Sequence, residues 1–389
     1  MELESSIPYG KQNITEEDID AVIGVLRSNY ITQGPEVPRF EQKICKYTGS
    51  KYAIAVNSCT SALHIACVAL GLGKGDILWT SPITFVASAN CALYCGATVD
   101  FVDIEPNTAL MSVEELEKKL IKAEKDGVLP KIVIPIHFAG QPCDMQEIHA
   151  LSQQYGFKII EDAAHAIGAK YQNEPVGNCR YSDITVFSFH PVKIITTGEG
   201  GVAMTNNLLY AEKMELLRSH GITRDSTKMH KKLDAPWYYE QIALGFNYRM
   251  TDIQAALGSS QLNRLDKYVV RRTEISKWYD EQFQNISGID PLAQKLNRDS
   301  AHHLYVIRLK EGEKMRNELY NKLCENDIGV NLHYIPVYKQ MHYNHLGVFK
   351  RSELYYQRAI SLPIFPTIST IELNTVVGNI LNYFDLNPA

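Results

Sequence analysis

Between residues 50 and 205, short apolar runs alternate with amphipathic segments, and this alternation constrains the fold more than any other feature of the chain. Continuous apolar runs are typical of strands that are buried on both faces, whereas the amphipathic segments have helical periodicity. Strands that alternate with helices form a mostly parallel sheet with helices on both sides, so we predict an α/β fold. The predicted strands are 52–56, 77–80, 98–102, 132–135, 158–161, 184–187 and 201–205, and the predicted helices are 61–70, 85–95, 112–123 and 145–155.

The pattern changes after Met250. One long helix is predicted over 252–272, and strands at 303–309 and 329–333 flank a helix at 314–326. The chain has 389 residues, which is enough for two domains. We therefore predict a large domain with an N-terminal arm over 1–250 and a smaller C-terminal α+β domain over 251–389.

Charge and composition exclude several classes of protein. The net charge is −5 and the basic residues are scattered, which argues against a nucleic-acid partner. No apolar stretch has the length of a membrane span, and the first residues lack the pattern of a signal peptide. The eight cysteines are dispersed, which favours reduced thiols in the cytoplasm. Cys91 and Cys95 share a helix face, but further ligands at matching spacing are missing, so no metal site is predicted.

Lys193 follows a predicted strand and precedes the glycine run at 198–201. A lysine in such a position is most often a solvated surface residue. Ile194 and Ile195 point instead to an apolar setting, in which a lysine amine has a lowered pKa and becomes a nucleophile or a base. The glycine run alone is weak evidence, because a dinucleotide-binding loop needs a different order of strand and helix.

Asp162 ends the strand predicted at 158–161, at the sheet edge where ligands bind in open α/β sheets. The residue could simply cap the next helix. Alternatively, its carboxylate could pair with the pyridine nitrogen of pyridoxal 5'-phosphate (PLP), which must stay protonated for PLP to act as an electron sink. His165 follows three residues later and could lie against the cofactor ring, although a lone histidine is more often structural.

Ser58, Cys59 and Thr60 join the first predicted strand to an apolar helix. Backbone N–H groups and hydroxyls at a helix N-terminus bind phosphate, although a plain serine cap would give the same pattern. Each signal is ambiguous alone. Together they supply an amine, an anion for a ring nitrogen and a phosphate site at strand ends of one sheet, and these are the requirements of PLP.

Several blocks of the chain resemble the DegT/DnrJ/EryC1/StrS family of sugar-nucleotide aminotransferases, whose members have the PLP-dependent transferase fold type I. The resemblance covers nearly the whole chain and is strongest at three blocks. These are 161–165, 188–193 with the glycine run at 198–201, and 245–250, which reads Gly-Phe-Asn-Tyr-Arg-Met. Weaker matches lie at 7–9, 31–35 and 361–366.

The resemblance implies a role for each matching residue. Lys193 would form a Schiff base with PLP, Asp162 would pair with the pyridine nitrogen and His165 would stack on the ring. The resemblance assigns the phosphate to Ser58, Cys59, Thr60 and Ser188, and it places Asn247 in the site of a neighbouring subunit, which implies a homodimer. Position 59 is often glycine in the family, but a backbone contact survives the change to cysteine. Expected substrate contacts are Tyr9, Asn29, Tyr30, Ile31, Thr32, His333, Tyr334, Ile335 and Pro336.

Within the family, Tyr9, the segment 81–90 and the segment 333–336 resemble the 4-aminotransferases of pseudaminic acid synthesis. This implies transfer of an amino group from L-glutamate to UDP-2-acetamido-2,6-dideoxy-β-L-arabino-hex-4-ulose. Other dTDP-, UDP- or GDP-linked keto sugars remain alternatives. A sugar 3-dehydratase would carry histidine at position 193 and is disfavoured by the lysine. A regulatory, DNA-binding protein is disfavoured because the sequence shows neither an added helix-turn-helix nor a basic face, and a non-catalytic PLP-fold scaffold is disfavoured by the intact Lys193, Asp162 and His165.

Overall fold

The computed structural model describes residues 6–230 and 235–386. The helices are α1 Glu16–Leu26, α2 Glu36–Thr48, α3 Cys59–Ala69, α4 Ala87–Tyr94, α5 Val113–Asp126, α6 Met145–Tyr155, α7 Leu208–Arg218, α8 Asp252–Leu262, α9 Leu265–Phe283, α10 Glu313–Glu325, α11 Lys350–Arg358 and α12 Thr370–Leu386. The strands are β1 Tyr52–Val56, β2 Ile77–Thr80, β3 Thr98–Phe101, β4 Ile132–Ile134, β5 Lys158–Asp162, β6 Lys170–Tyr171, β7 Glu174–Pro175, β8 Ile184–Ser188, β9 Gly201–Thr205, β10 Ile222–Thr223, β11 Glu240–Gln241, β12 Ile289–Pro291, β13 Arg298–Asp299, β14 Tyr305–Leu309 and β15 Ala359–Leu362.

Within the described ranges, seven strands form the central sheet in the order β1-β9-β8-β5-β4-β2-β3. Six of them are parallel, and β9 runs antiparallel to both of its neighbours. This arrangement confirms the predicted mostly parallel α/β sheet. Each predicted strand of the sheet begins at the predicted residue and ends within one residue of the predicted end.

Helices cover both faces of the central sheet, which explains why its strands are apolar along their whole length. Alternate strand residues such as Ile54 and Ile160 pack with α3, α4 and α7 on one face. Residues of the opposite register, such as Val133 and Ile159, pack with α5 and α6 on the other face. Next to them, Ala55 and Phe187 pack with α2 and α8. No helix of the described ranges is long and apolar enough to cross a membrane.

In the described C-terminal part of the chain, three strands form an antiparallel sheet in the order β12-β14-β15. Its core includes Ile307 and Leu362 and is packed against α9, α10 and α12. The predicted domain division at residue 250 stays a prediction.

Two predicted elements in this part are wrong. The helix predicted over 252–272 is two helices, because the chain tightens at Asn263 and Arg264, whose N–H groups bond to carbonyls three residues back. The strand predicted at 329–333 is absent. Gly329 donates to the Ile7 carbonyl at 2.6 Å, and Asn331 makes a single bridge to Ser361, so the segment is extended without a continuous ladder.

A buried ion pair fixes α1 to the turn after α8. The side chain of Asp18 is fully buried, and its carboxylate lies 2.5 Å from the guanidinium of Arg264. Gln261 also donates to it at 2.6 Å. Burial alone would raise the pKa of Asp18, but hydrogen bonds from Ser260, Arg264, Thr15 and Gln261 outweigh that effect and hold the pKa below its usual value. The N-terminal segment is therefore anchored by a charged contact rather than by apolar packing alone.

We predict that Asp18→Ala lowers the free energy of unfolding by about 3 kcal/mol, because it removes one partner of a buried ion pair. Urea unfolding at pH 7 would measure the change. Asp20→Ala on the exposed side of α1 is the control and should change the value by less than about 0.5 kcal/mol. Since the folded pKa of Asp18 is lowered, its stabilisation should fade below about pH 4. Equal unfolding midpoints for the two variants would contradict this account.

Candidate active site

A cavity of about 590 Å³ lies at the edge of the sheet where β1, β5 and β8 end. This is the edge at which open α/β sheets bind ligands. Ten of the residues predicted for the site line it: Tyr9, Ser58, Cys59, Thr60, Asp162, His165, Ser188, Lys193, His333 and Tyr334. Residues that are far apart in the sequence therefore share one wall.

Asp162, the last residue of β5, is buried and held from two directions. The hydroxyl of Ser88 donates to its Oδ2 at 2.6 Å, and the N–H of Ala164 donates to its Oδ1 at 3.1 Å. Two contacts leave further lone-pair positions on a carboxylate. Asp162 can therefore accept another hydrogen bond from a ligand in the cavity.

Lys193 lies in the loop 189–200 that joins β8 to β9. The loop is closed by a bond from the Phe189 N–H to the Gly200 carbonyl at 2.9 Å, and Ile194 and Ile195 are buried beneath it. The amine of Lys193 reaches the cavity. Burial lowers the pKa of Lys193 to about 8, although Cys59 and Asp162 nearby favour the charged form. A substantial fraction of the amine is therefore neutral near physiological pH.

The N-terminus of α3 forms the next part of the wall. The Ser58 hydroxyl accepts from the Ser61 N–H at 3.1 Å, and the first intrahelical bond runs from Ala62 to the Ser58 carbonyl. The N–H groups of Cys59 and Thr60 precede that bond and remain available to an anion. The cap formed by the Ser58 side chain is therefore compatible with a phosphate site at the same helix N-terminus.

Gly201 is the residue of the glycine run at which a side chain would collide with the backbone of a neighbouring segment. A Cβ atom at this position would lie 2.6 Å from backbone atoms of Ser58 and Cys59. The start of β9 can therefore pack directly against the α3 N-terminus only because position 201 has no side chain.

His165 is buried and bonded to Tyr334, with its Nε2 3.0 Å from the Tyr334 hydroxyl. Its ring lies 4.4 Å from the ring of His303. Among the described residues, its Nδ1 has no hydrogen-bond partner. Burial, reinforced by the charge of Lys193, lowers the pKa of His165 well below its usual value. The imidazole is therefore neutral at pH 7.

Tyr9 and His333 meet on the far side of the cavity, with ring centroids 5.5 Å apart. The Nδ1 of His333 lies 2.8 Å from the Ser361 hydroxyl, and the Tyr355 hydroxyl donates to the His333 carbonyl at 2.6 Å. Burial, with the charge of Lys193, lowers the pKa of His333 to about 3. This wall is polar but uncharged.

Seven predicted residues lie outside the cavity of their own chain. Tyr30 lines a separate depression between α1, α2 and α8, and Asn247 is exposed in the segment after β11. Their predicted roles stay predictions. The seven are Asn29, Tyr30, Ile31, Thr32, Asn247, Ile335 and Pro336.

Sequence reasoning gave no site role to several polar residues that line the cavity, which are Thr84, Ser88, His190, Glu199, His303 and Asn331. Ser88 bonds to Asp162, Thr84 lies 3.0 Å from the Ser88 hydroxyl, and His303 packs on His165. Ser88 and Thr84 lie within the segment 81–90 that supported the family resemblance, but no local pattern shows that they face β5. His303 arrives from the C-terminal part of the chain, so only the tertiary structure reveals it.

This set of residues fits PLP. A partly neutral amine, a carboxylate with free acceptor positions and a helix N-terminus with two available N–H groups line one cavity. The buried Nδ1 of His165, which has no hydrogen-bond partner among the described residues, is a further polar group available to a bound ligand.

Comparisons with known proteins agree with this chemistry. Residues 12–381 match the model of the DegT/DnrJ/EryC1/StrS aminotransferase family. A UDP-4-amino-4,6-dideoxy-N-acetyl-β-L-altrosamine transaminase of Campylobacter jejuni is 39% identical over 361 residues, which are 92% of each chain.

Two solved structures are similar over nearly the whole chain. Helicobacter pylori PseC, an aminotransferase involved in the biosynthesis of pseudaminic acid, has a TM-score of 0.90 and 30% identity, covering 98% of this chain and 100% of PseC. The PLP form of Spr1654 of Streptococcus pneumoniae, described as a sugar aminotransferase, has a TM-score of 0.88 and 29% identity, covering 98% of this chain and 99% of Spr1654. The protein, whose cavity is lined by Lys193 and Asp162, therefore belongs to the DegT/DnrJ/EryC1/StrS aminotransferase family and is a PLP-dependent sugar aminotransferase.

Proposed function

We propose that the enzyme transfers the amino group of L-glutamate to carbon 4 of UDP-2-acetamido-2,6-dideoxy-β-L-arabino-hex-4-ulose. The products would be 2-oxoglutarate and UDP-4-amino-4,6-dideoxy-N-acetyl-β-L-altrosamine, an intermediate of pseudaminic acid synthesis. The observation that carries the amino-transfer chemistry is the partly neutral Lys193 amine in one cavity with Asp162. The similarity to the Campylobacter jejuni transaminase and to PseC supports the substrate.

When bound, PLP supplies an electron sink that stabilises negative charge on the substrate carbon that bears nitrogen. We assign Lys193 to covalent attachment of the cofactor and to proton transfer at that substrate carbon. Its pKa of about 8 suits a group that must take up and release a proton near neutral pH.

We assign the remaining wall residues to holding and orienting the cofactor. Asp162, fixed by Ser88, would keep the pyridine nitrogen protonated. The free N–H groups at the start of α3 would bind the phosphate, with the Ser188 hydroxyl beside them. His165 is neutral and fixed by Tyr334, so it would lie against the ring without adding positive charge.

We propose a homodimer with shared active sites. Among the described residues that line the cavity, Lys193 is the one lysine or arginine, whereas PLP and a sugar nucleotide together carry several negative charges. Additional cations and donors must then come from outside this chain's own wall. Asn247 and Arg224 are exposed in the segment after α7, and we propose that they reach the active site of a neighbouring subunit. We also propose a cytoplasmic location, consistent with eight free cysteines.

Aminotransfer to another dTDP-, UDP- or GDP-linked keto sugar is the second candidate. The similarity to Spr1654 favours it, because that protein is described as a sugar aminotransferase with no nucleotide or sugar named. A 3-dehydratase is disfavoured by Lys193 itself, and a non-catalytic role by the complete set of cofactor-binding residues.

The substrate proposal predicts a ranking of keto sugars. Purified enzyme with glutamate should aminate the UDP-linked 4-keto sugar with a kcat/KM at least about 100-fold above those of dTDP- and GDP-linked 4-keto sugars and of a 3-keto sugar. Mass spectrometry of the product and equimolar 2-oxoglutarate would establish the reaction. Faster turnover of another nucleotide sugar would replace the proposed substrate without affecting the amino-transfer assignment.

Lys193→Ala should abolish amino transfer and remove the covalent cofactor adduct that borohydride traps in the wild type. Lys170→Ala, at an exposed position, is the matched control and should retain both. In wild-type apoenzyme, the rate of cofactor attachment should rise with pH through about 8, because only the neutral amine of Lys193 is nucleophilic. An adduct on another lysine, or a midpoint near 10.5, would overturn the assignment.

The shared site can be tested by mixing two inactive variants, Lys193→Ala and Asn247→Ala. In a mixed dimer, one site receives Lys193 from one chain and Asn247 from the other, and is therefore intact. Random pairing makes half of the dimers mixed, so activity should recover to about a quarter of the wild-type value. Exchange of subunits would be confirmed by native mass spectrometry, and mixed dimers without activity would refute the shared site.

A further inference from the structure

A smaller cavity, of about 110 Å³, lies where α11 meets the end of β14 and the segment between β3 and α5. Among the described residues, it has no lining residue in common with the active-site cavity. Four of its lining residues are basic and one is acidic, namely Arg308, Lys310, Arg351 and Arg358 against Asp290. We call this cavity the arginine pocket. The proposed mechanism of amino transfer uses none of these five residues.

Arg308 is a fixed part of the wall of the arginine pocket. The residue is 7% exposed, and its guanidinium donates to the carbonyls of Pro106 and Pro291 and to the carboxylate of Asp290. The Asp290 carboxylate lies 2.5 Å from the guanidinium, and the Asp290 side chain is half exposed. The charge of Arg308 is therefore balanced by a carboxylate that also lines the pocket.

The charge of Arg351 is balanced from outside the pocket. Its guanidinium lies 3.3 Å from the carboxylate of Glu114 and 3.2 Å from that of Glu115. It also donates to the hydroxyl of Ser112, the residue that caps α5, at 3.1 Å. These contacts fix Arg351 against the start of α5, so it adds little net charge to the pocket.

Arg358 and Lys310 keep uncompensated charges. The ion pairs that described residues form around the pocket are those of Arg308 and Arg351, so no described carboxylate balances the other two side chains. Lys310 is exposed, whereas Arg358 is partly buried, and its Nε is buried without a hydrogen-bond partner among the described residues. Burial lowers the pKa of Arg308, and the positive charge of Arg358 adds to that effect, while Asp290 opposes it. The two guanidinium groups are therefore close enough to repel each other.

We propose that the arginine pocket binds a phosphoryl dianion, either as inorganic phosphate or as the phosphate group of a small metabolite. The two uncompensated positive charges match two negative charges, whereas a monocarboxylate would balance only one of them. The guanidinium of Arg358 can donate two parallel hydrogen bonds to phosphate oxygens, and the Nε–H that lacks a partner would be one of the donors. The volume is too small for a nucleotide, since pockets for ligands of that size measure about 300 Å³ or more.

A purely structural role accounts for Arg308 and Arg351, because the hydrogen bonds of both side chains are made within the protein. It does not account for Arg358. A buried N–H group without an acceptor destabilises the folded protein, and a bound oxyanion would supply the acceptor. The same anion would screen the repulsion between Arg308 and Arg358.

Titration calorimetry of the PLP-loaded enzyme with inorganic phosphate, at constant ionic strength, tests the proposal. Arg358→Gln should weaken phosphate binding at least about tenfold, because it removes a charge-assisted hydrogen bond. Arg27→Gln makes the same change of charge at an exposed position and should bind phosphate as the wild type does. Acetate, a monoanion, should bind the wild type at least about tenfold more weakly than phosphate.

Equal phosphate affinities of Arg358→Gln and the wild type would indicate an adventitious ion only and would overturn the proposal. Equal affinities of the wild type for acetate and phosphate would overturn it as well. Competition with glycerol 3-phosphate distinguishes the two sources of the phosphoryl group. Tighter binding than that of inorganic phosphate indicates a phosphorylated metabolite, and weaker binding indicates free phosphate.

The wild-type enzyme provides a further readout that does not depend on how a variant folds. Crystals soaked in tungstate, an electron-dense tetrahedral oxyanion, should show anomalous density within hydrogen-bonding distance of the Arg358 guanidinium. Anomalous density confined to other parts of the molecule would contradict the proposed site.

Discussion

The parallel pairing of β5 with β8 is the constraint on which the active site depends. In this pairing Asp162 lies opposite Val186, so both strands deliver their last residues to the same edge of the sheet. Ser188 then enters the cavity two residues beyond Val186, and the loop that carries Lys193 follows. A slip of one residue in the ladder would turn Asp162 to the other face of its strand. The backbone therefore places the carboxylate and the amine relative to each other, and the loop only completes the site.

The antiparallel strand β9 determines where the loop that carries Lys193 lies relative to the end of β1. It lies between β1 and β8 and runs against both, so the loop after β8 returns directly beside the end of β1. Its first residue, Gly201, packs on the backbone of Ser58 and Cys59. The turn proposed to bind phosphate and the loop that carries Lys193 are thereby held at distances set by the spacing of adjacent strands, about 4.8 Å apart. Any side chain at position 201 would separate them.

Local patterns predicted most of the sheet because burial on both faces leaves a signal within each strand. Features that depend on contacts distant in sequence could not be predicted. The break between α8 and α9 lies at Arg264, whose partner Asp18 is 246 residues away. Ser88 and His303 have no local mark of their function, because their roles arise only when α4 and the C-terminal part pack against β5. Tyr334 was expected at the substrate, and the structure shows in addition a bond from it to His165.

The charges of the cavity connect its chemistry to its assembly. Lys193 shares the cavity with His165, His303 and His333, and burial lowers the pKa of all four. The charge of Lys193 disfavours a proton on each histidine, so the wall accumulates little positive charge of its own. Burial keeps part of the Lys193 amine neutral, and the described wall offers the phosphates of cofactor and substrate no other lysine or arginine. In the proposed homodimer a second chain would supply further cations, so the active site would be complete only in the assembled enzyme.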